Sequence, residues 1–171
     1  DRRVVEAGLE GRIEIRLQDY RDVAEQFDAV ASVEMVEAVG QRWWGAYLDV
    51  IARNLKAGGR AALQFISMEH RLFGGYSRNA DFIQTYIFPG GQLLDEPSFE
   101  ALAKERGLSW EDREGFRLDY AETLKRWRAR YDATVAAGKL SGFDERFHRL
   151  WRYYLMYCEG GFRGGGIDVA Q

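Results

Sequence analysis

Hydrophobic and polar positions set a clear rhythm along the first third of the chain. Arg12 to Leu17 (RIEIRL) alternates charged and apolar side chains, the two-residue period of a short strand. Phe27 to Met35 (FDAVASVEM) is a more continuous apolar run of strand length, the pattern of a strand buried in a parallel sheet. Trp43, Trp44, Tyr47, Leu48, Ile51 and Leu55 then recur at helical spacing, with Lys56 in the expected last turn and Gly58–Gly59 as the stop. Arg60 to Ser67 (RAALQFIS) is a second buried strand. Strand, helix and strand joined by short connections predict an α/β fold with a parallel, doubly wound sheet.

The rhythm breaks over residues 68–96. A short helix is expected from Asp81 to Tyr86, followed by a loop through Ile87–Phe88–Pro89–Gly90–Gly91. Pro97 suits a first helical turn, and Phe99, Leu102 and Ala103 supply its apolar face up to Gly107. Ser109 to Phe116 is a candidate strand. Tyr120, Leu124, Trp127, Tyr131 and Val135 form one helical stripe, and Phe147, Leu150, Trp151, Tyr154, Leu155 and Cys158 a second. Gly160 to Gly166 is expected as a flexible turn before a strand that starts at Ile167.

Composition narrows the chemistry. The 171 residues are 14% aromatic, enough for large apolar walls around a core or a greasy ligand. A net charge of −3 argues against a broad nucleic-acid footprint. The single cysteine, Cys158, excludes an intrachain disulfide and Cys-rich zinc motifs, and His70 and His148 have no metal-ligand spacing, so no metal is expected. The lone cysteine makes a reducing cytoplasm the expected compartment; no apolar run reaches bilayer length, and no signal peptide opens the chain. The first residue is Asp1, not Met, so an upstream segment is expected.

Ligands of open parallel sheets bind at the carboxyl ends of the strands. The run from Phe27 ends at Ser32–Val33–Glu34–Met35–Val36–Glu37, with two carboxylates three residues apart in an apolar context. Buried carboxylates are costly unless partnered or functional. The plainer reading is that one caps the next helix or faces solvent. Gln64, in the strand from Arg60, is either a satisfied core amide or a polar tip aimed into a site. Gln18–Asp19 follows the first predicted strand, where either a nucleotide contact or a local Asp turn would fit. Tyr120 and Cys158 lie on aromatic stripes whose members are mostly packing residues.

The order LQDYRD (17–22), FDAVASVEMVEAVG (27–40), NLKAGGRAALQFIS (54–67), DFIQTYIFPGG (81–91), LDYAETLKRW (118–127) and RYYLMYCEGGFR (152–163) resembles the cyclopropane-fatty-acyl-phospholipid synthases and the related mycolic acid cyclopropane synthases. The likeness runs over nearly the whole chain. It implies the later half of a Rossmann-like S-adenosylmethionine (SAM) methyltransferase domain, with helical insertions over an acyl-chain pocket. It implies an alkene of a phospholipid acyl chain as substrate, attacking the sulfonium methyl to leave a carbocation that loses a proton and closes a cyclopropane ring. Carried onto this sequence, a bicarbonate base would be caged by Glu37, Ile66 and Tyr120, with Cys158 nearby. Gln18, Asp19 and Val33 would border the adenosine. Transient contact with the inner face of the membrane follows from such a substrate. Arg126, Arg128 and Arg130 give one helix some positive charge, read more simply as a solvated face. The resemblance leaves room for a homo-oligomer.

Three departures stand out. Gln64 occupies a position where the family usually has His, Ala38 follows Glu37 in place of the usual His, and Glu34 stands where many members have Gly. A lost His and a gained carboxylate suggest that Glu34 replaces bicarbonate as the base, which would allow a methylene or methyl branch in place of the ring. No GxGxG turn precedes Arg12, so the loop that cradles SAM is missing and this piece alone is expected to be inactive. Two other readings stand beside the lipid enzyme: a SAM methyltransferase for another hydrophobic small molecule, and a non-catalytic lipid-binding piece. Glu37, Tyr120 and Cys158 together favour catalysis; the lost His and missing loop favour the last reading.

Overall fold

A computed structural model describes residues 2–171. Its helices are α1 (Arg2–Glu6), α2 (Trp44–Asn54), α3 (His70–Tyr76), α4 (Phe82–Tyr86), α5 (Glu96–Lys104), α6 (Arg117–Ala136) and α7 (Glu145–Arg163). The strands are β1 (Phe27–Val33), β2 (Leu55–Met68), β3 (Leu94–Asp95) and β4 (Ile167–Ala170). β1 and β3 both pair parallel to β2, and β4 pairs antiparallel to its far end, Phe65 opposite Ala170 and Met68 opposite Ile167.

Strand side chains alternate between the two faces of a sheet. Along β2 this sends Phe65 to one side, into a core with Trp44, Tyr47, Leu48, Ile51 and Phe99 from α2 and α5. Ile66 goes to the other side, against Ala121, Leu124, Leu155 and Phe162 from α6 and α7. The first core is aromatic: Phe99, fully buried, meets Trp44 edge-on at 5.7 Å and Trp110 edge-on at 6.0 Å. Helices therefore lie on both faces of a mainly parallel sheet, as the apolar pattern predicted. Gln64 shares the parity of Ile66, which places it on the α6–α7 side.

Local chemistry explains most boundaries. Asp81 caps α4 in a reciprocal box with Gln84. Pro97 sits in the first turn of α5, where its missing N–H costs nothing. Asp144 starts α7 by accepting the Phe147 N–H at 2.7 Å.

Several expectations are corrected. Arg12–Leu17 forms no strand; Ile13, Ile15 and Leu17 are exposed, because among the described residues β1 pairs with β2 alone and offers this segment no ladder. β1 ends at Val33, short of Met35, and both β1 and the first half of β2 are largely exposed instead of buried. Lys56 is not in the last turn of α2, and Gly58–Gly59 do not stop that helix, which ends at Asn54. The register jumps from Phe27–Leu55 to Ala29–Arg60, and the glycines make this bulge. Gly58 takes a φ of 77°, and a Cβ on Gly59 would come within 3.0 Å of the Asp28 carbonyl. Ser109–Phe116 contributes a single bridge, Gly115 to Ala170, because β4 already fills the edge of β2 there. Gly160–Arg163 continue α7, so the turn is confined to Gly164–Gly166. Helix α3 and strand β3 fall within residues 68–96, where only the short helix over Asp81–Tyr86 is expected from the sequence.

Candidate active site

The carboxyl ends of β1 and β2 lie side by side, and the polar residues singled out there converge. Glu34 follows β1, and its backbone N–H donates to the Gln64 carbonyl at 2.8 Å, extending the ladder by one residue. The Glu34 backbone has a φ of 49°, in the left-handed region that side chains other than glycine rarely occupy. Its side chain is thereby turned toward the α6–α7 face. There the Gln64 amide donates to Glu34 Oε1 at 2.8 Å, and the Tyr120 hydroxyl donates to the same oxygen at 3.4 Å. The Gln171 amide donates to Gln64 Oε1 at 2.8 Å. A carboxylate only accepts, so the Gln171 contact and the Glu34 contact fix the orientation of the Gln64 amide between them. Glu34 caps no helix.

Glu37 lies in the 3-10 turn Val36–Ala38 and reaches back to β2, where its Oε1 accepts the Ile66 N–H at 2.6 Å. Its Oε2 is buried without a partner among the described residues. Burial pushes the Glu37 carboxyl above its usual range, against the opposing pull of the Ile66 N–H. On the opposite wall, α6 supplies Tyr120 and α7 supplies Tyr154 and Cys158. Tyr154 lies one helical turn before Cys158 on α7, and burial raises its phenol well above the ordinary range. Burial first, then the Asp81 charge, pushes the thiol up to about 12. Burial and the neighbouring Glu34 push the Tyr120 phenol up to about 12 as well. The Tyr120 ring packs on Phe162 at 5.0 Å.

The structure therefore brings together Glu34, Glu37, Gln64, Ile66, Tyr120 and Cys158. Gln171 and Tyr154 join them and were not foreseen. Tyr154 was legible in principle, one helical turn before Cys158; Gln171 carries no pattern.

Gln18 and Asp19 stand apart from this cluster, whereas Val33 adjoins it, next to Glu34 and opposite Gln64 in the β1–β2 register. Gln18 donates to the Asp22 carbonyl. Asp19 caps the turn Tyr20–Asp22, and the Arg21 guanidinium with the Arg21 N–H holds its carboxyl down to about 2. Val33 is exposed. Immediately beside Asp19 opens a cleft of about 400 Å³ lined by Tyr20, Arg21, Met35, Ala38, Val39, Trp43 and Ala46. Flat aromatic and aliphatic walls suit the adenosine part of SAM, with Asp19 next in sequence to the lining residues Tyr20 and Arg21. The exposed Asp19–Arg21 pair is weak enough to exchange for an amino donor.

A bicarbonate ion fits less well. The donors a cage would offer, the Ile66 N–H, the Tyr120 hydroxyl and the Gln64 amide, are already engaged by Glu37 and Glu34. Arg126 is exposed and paired with Glu122, as a solvated face predicts, but Arg128 is half-buried against Glu159 and departs from that reading.

The family described as mycolic acid cyclopropane synthetase matches residues 1–171. The tuberculostearic acid methyltransferase UfaA1 of Mycobacterium tuberculosis is 44% identical over 99% of this chain and 40% of that protein. The cyclopropane-fatty-acyl-phospholipid synthase of Escherichia coli K12 is 38% identical over 93% of this chain and 40% of its own length. The chain thus spans about 40% of the length of these relatives. Among solved structures, mycolic acid cyclopropane synthase CmaA1 complexed with SAH and CTAB superposes with a TM-score of 0.82 at 26% identity, covering 97% of this chain and 63% of that one.

Proposed function

Because this chain belongs to the mycolic acid cyclopropane synthetase family, we propose that it carries the acyl-chain side of a SAM-dependent enzyme that alkylates the double bond of an unsaturated phospholipid acyl chain. The observation that carries this reading is the Glu34–Gln64–Tyr120–Cys158 cluster with Glu37 on Ile66, at the carboxyl ends of β1 and β2. SAM, when bound, supplies an activated methyl group. The SAH held by CmaA1 and the cleft beside Asp19 support it as the donor.

The alkene gives its π electrons to the methyl carbon, the carbon–sulfur bond breaks, and a cation is left on the acyl chain. This chain must then do three things. It must keep nucleophiles away from the cation, and both nearby candidates stay protonated: the Cys158 thiol and the Tyr120 phenol. It must stabilise positive charge, for which the Tyr120 ring face and the carboxylates are available. It must accept a proton, and the Glu34 carboxylate is the acceptor at hand. Loss of a methyl proton with closure of the new carbon–carbon bond yields a cyclopropane ring.

A second product has a specific observation behind it. If a hydride shifts to the cationic carbon before the methyl proton is lost, a methylene branch results. An acceptor fixed to the protein decides which course wins by where it sits, and Glu34 is so fixed. The 44% identical relative named as a tuberculostearic acid methyltransferase agrees with this alternative. Peripheral contact with a membrane belongs to the proposal; no helix among the described residues is long and apolar enough to cross one.

The test is incubation of the full-length protein with methyl-labelled SAM and vesicles of unsaturated phospholipid, followed by mass spectrometry and NMR of the lipids. Label in the acyl chain is expected, and NMR separates ring from branch. Absence of label with SAM binding intact would overturn the acyl-chain reading.

A further inference from the structure

We propose that Glu34 is the proton-accepting base of this reaction, held in place by Gln171 through Gln64, so that the site works without a free anion. The inference rests on the acyl-chain alkylation reading above. Four observations carry it. The Glu34 carboxylate sits among the donors that would cage a small oxyanion and has taken two of them, the Gln64 amide and the Tyr120 hydroxyl. Glu37 has taken the third, the Ile66 N–H. The Glu34 backbone is held at a φ of 49°, which a side chain adopts only when its surroundings impose it, and such outliers gather at working sites. Both donors meet Oε1, so Oε2 is left as the proton acceptor.

The chain of amides gives this arrangement its direction. Gln171 donates to Gln64 Oε1, which leaves only the Gln64 NH2 group to face Glu34. A reversed Gln64 would set a carbonyl oxygen against a carboxylate. Gln171 is thus a positioning residue, acting on Glu34 without touching the reacting atoms. In the step itself, a C–H bond of the transferred methyl breaks and its electrons form the last carbon–carbon bond of the product. The proton passes to Glu34 Oε2, giving a neutral carboxylic acid that later returns it to solvent.

The experiment uses the full-length protein with methyl-labelled SAM and unsaturated phospholipid vesicles, in buffer stripped of carbon dioxide and again with added bicarbonate. The wild type is expected to label lipid at the same rate in both. Glu34→Gln, which keeps the shape and removes the base, is expected to lose at least about 100-fold in kcat. Glu34→Gly empties the carboxylate's place and relaxes a left-handed backbone, so it should fold at least as well as wild type. It is expected to be slow in stripped buffer and to recover about 10-fold or more with bicarbonate or formate. Gln171→Leu should lower kcat while leaving the KM for SAM unchanged, and Gln171→Asn should restore part of it.

A wild type that needs bicarbonate, or a Glu34→Gln variant within about 3-fold of wild type, overturns this inference and leaves the acyl-chain reading standing. A wild type that labels no lipid removes that reading and this inference with it.

Discussion

Glu37 leaves the turn after β1 and accepts the Ile66 N–H of β2 at 2.6 Å, tying together the two strand ends that form the site. Its other oxygen is buried without a partner among the described residues, and burial raises its pKa above the ordinary 4.5. Between 4.5 and the raised folded value, the folded protein retains a proton on Glu37 that the unfolded chain releases, so this group's contribution to stability falls as pH rises through that window. Glu37→Gln keeps an acceptor for Ile66 and removes the titration. Thermal melts between about pH 5 and about pH 8 should show a flatter profile for Glu37→Gln, with a Tm at the upper end no lower than wild type. A variant that melts well below wild type at every pH would show that the negative charge itself supports the fold.

His70 Nδ1 lies 2.7 Å from the buried Asp95, which also accepts from Ser98. The Asp95 contact raises the His70 pKa above its ordinary 6.5. The stabilisation is complete below 6.5 and is lost as pH rises through the folded value. His70→Gln should therefore lower the Tm near pH 6 more than near pH 9, a difference read directly from melts at about those two values. Equal losses at both would mean that the ring matters only for packing.

Cys158 reacts with alkylating agents only as a thiolate. With the thiol pushed up to about 12, iodoacetamide should leave Cys158 unmodified in the folded protein near pH 8 and label it once the chain is denatured. Rapid labelling of the native protein, followed by peptide mass spectrometry, would contradict the protected, protonated thiol. Cys158→Ser should retain methyl transfer to within about 10-fold, since no step uses the sulfur as a nucleophile.

Phe99 is fully buried and touches the rings of Trp44, Tyr47, Phe65 and Trp110. Phe99→Ala leaves a cavity that four rigid rings cannot close, and should cost about 3–5 kcal/mol in denaturant unfolding. Leu102→Ala, one turn away and only partly buried, should cost clearly less.

Local rules were enough for the elements whose residues agree with one another. The helices over Trp44–Asn54, Glu96–Lys104, Arg117–Ala136 and Glu145–Arg163 all show their apolar stripes in the sequence, and the parallel pairing of β1 with β2 follows from strand, helix and strand in close succession. The site residues were legible one by one: carboxylates in an apolar run at Glu34 and Glu37, an amide in a strand at Gln64, and a tyrosine and a cysteine on helical stripes. Their partners were not. Period-2 alternation at Arg12–Leu17 looked like a strand, but a strand exists only where another offers its backbone groups, and β1 offers none to this segment. Gly58–Gly59 looked like a helix stop because glycine marks any break; only the register between β1 and β2 makes them a bulge. Gln171 lies 107 residues from Gln64, and no spacing rule links two amides that meet only because β4 runs antiparallel to β2. The sequence by itself determined which residue types are present and which segments can bury an apolar face, because propensity and periodicity act over a few residues. Which oxygen of Glu34 meets which donor was decided by the tertiary structure, because hydrogen bonds depend on distances of a few tenths of an ångström between segments far apart in the chain.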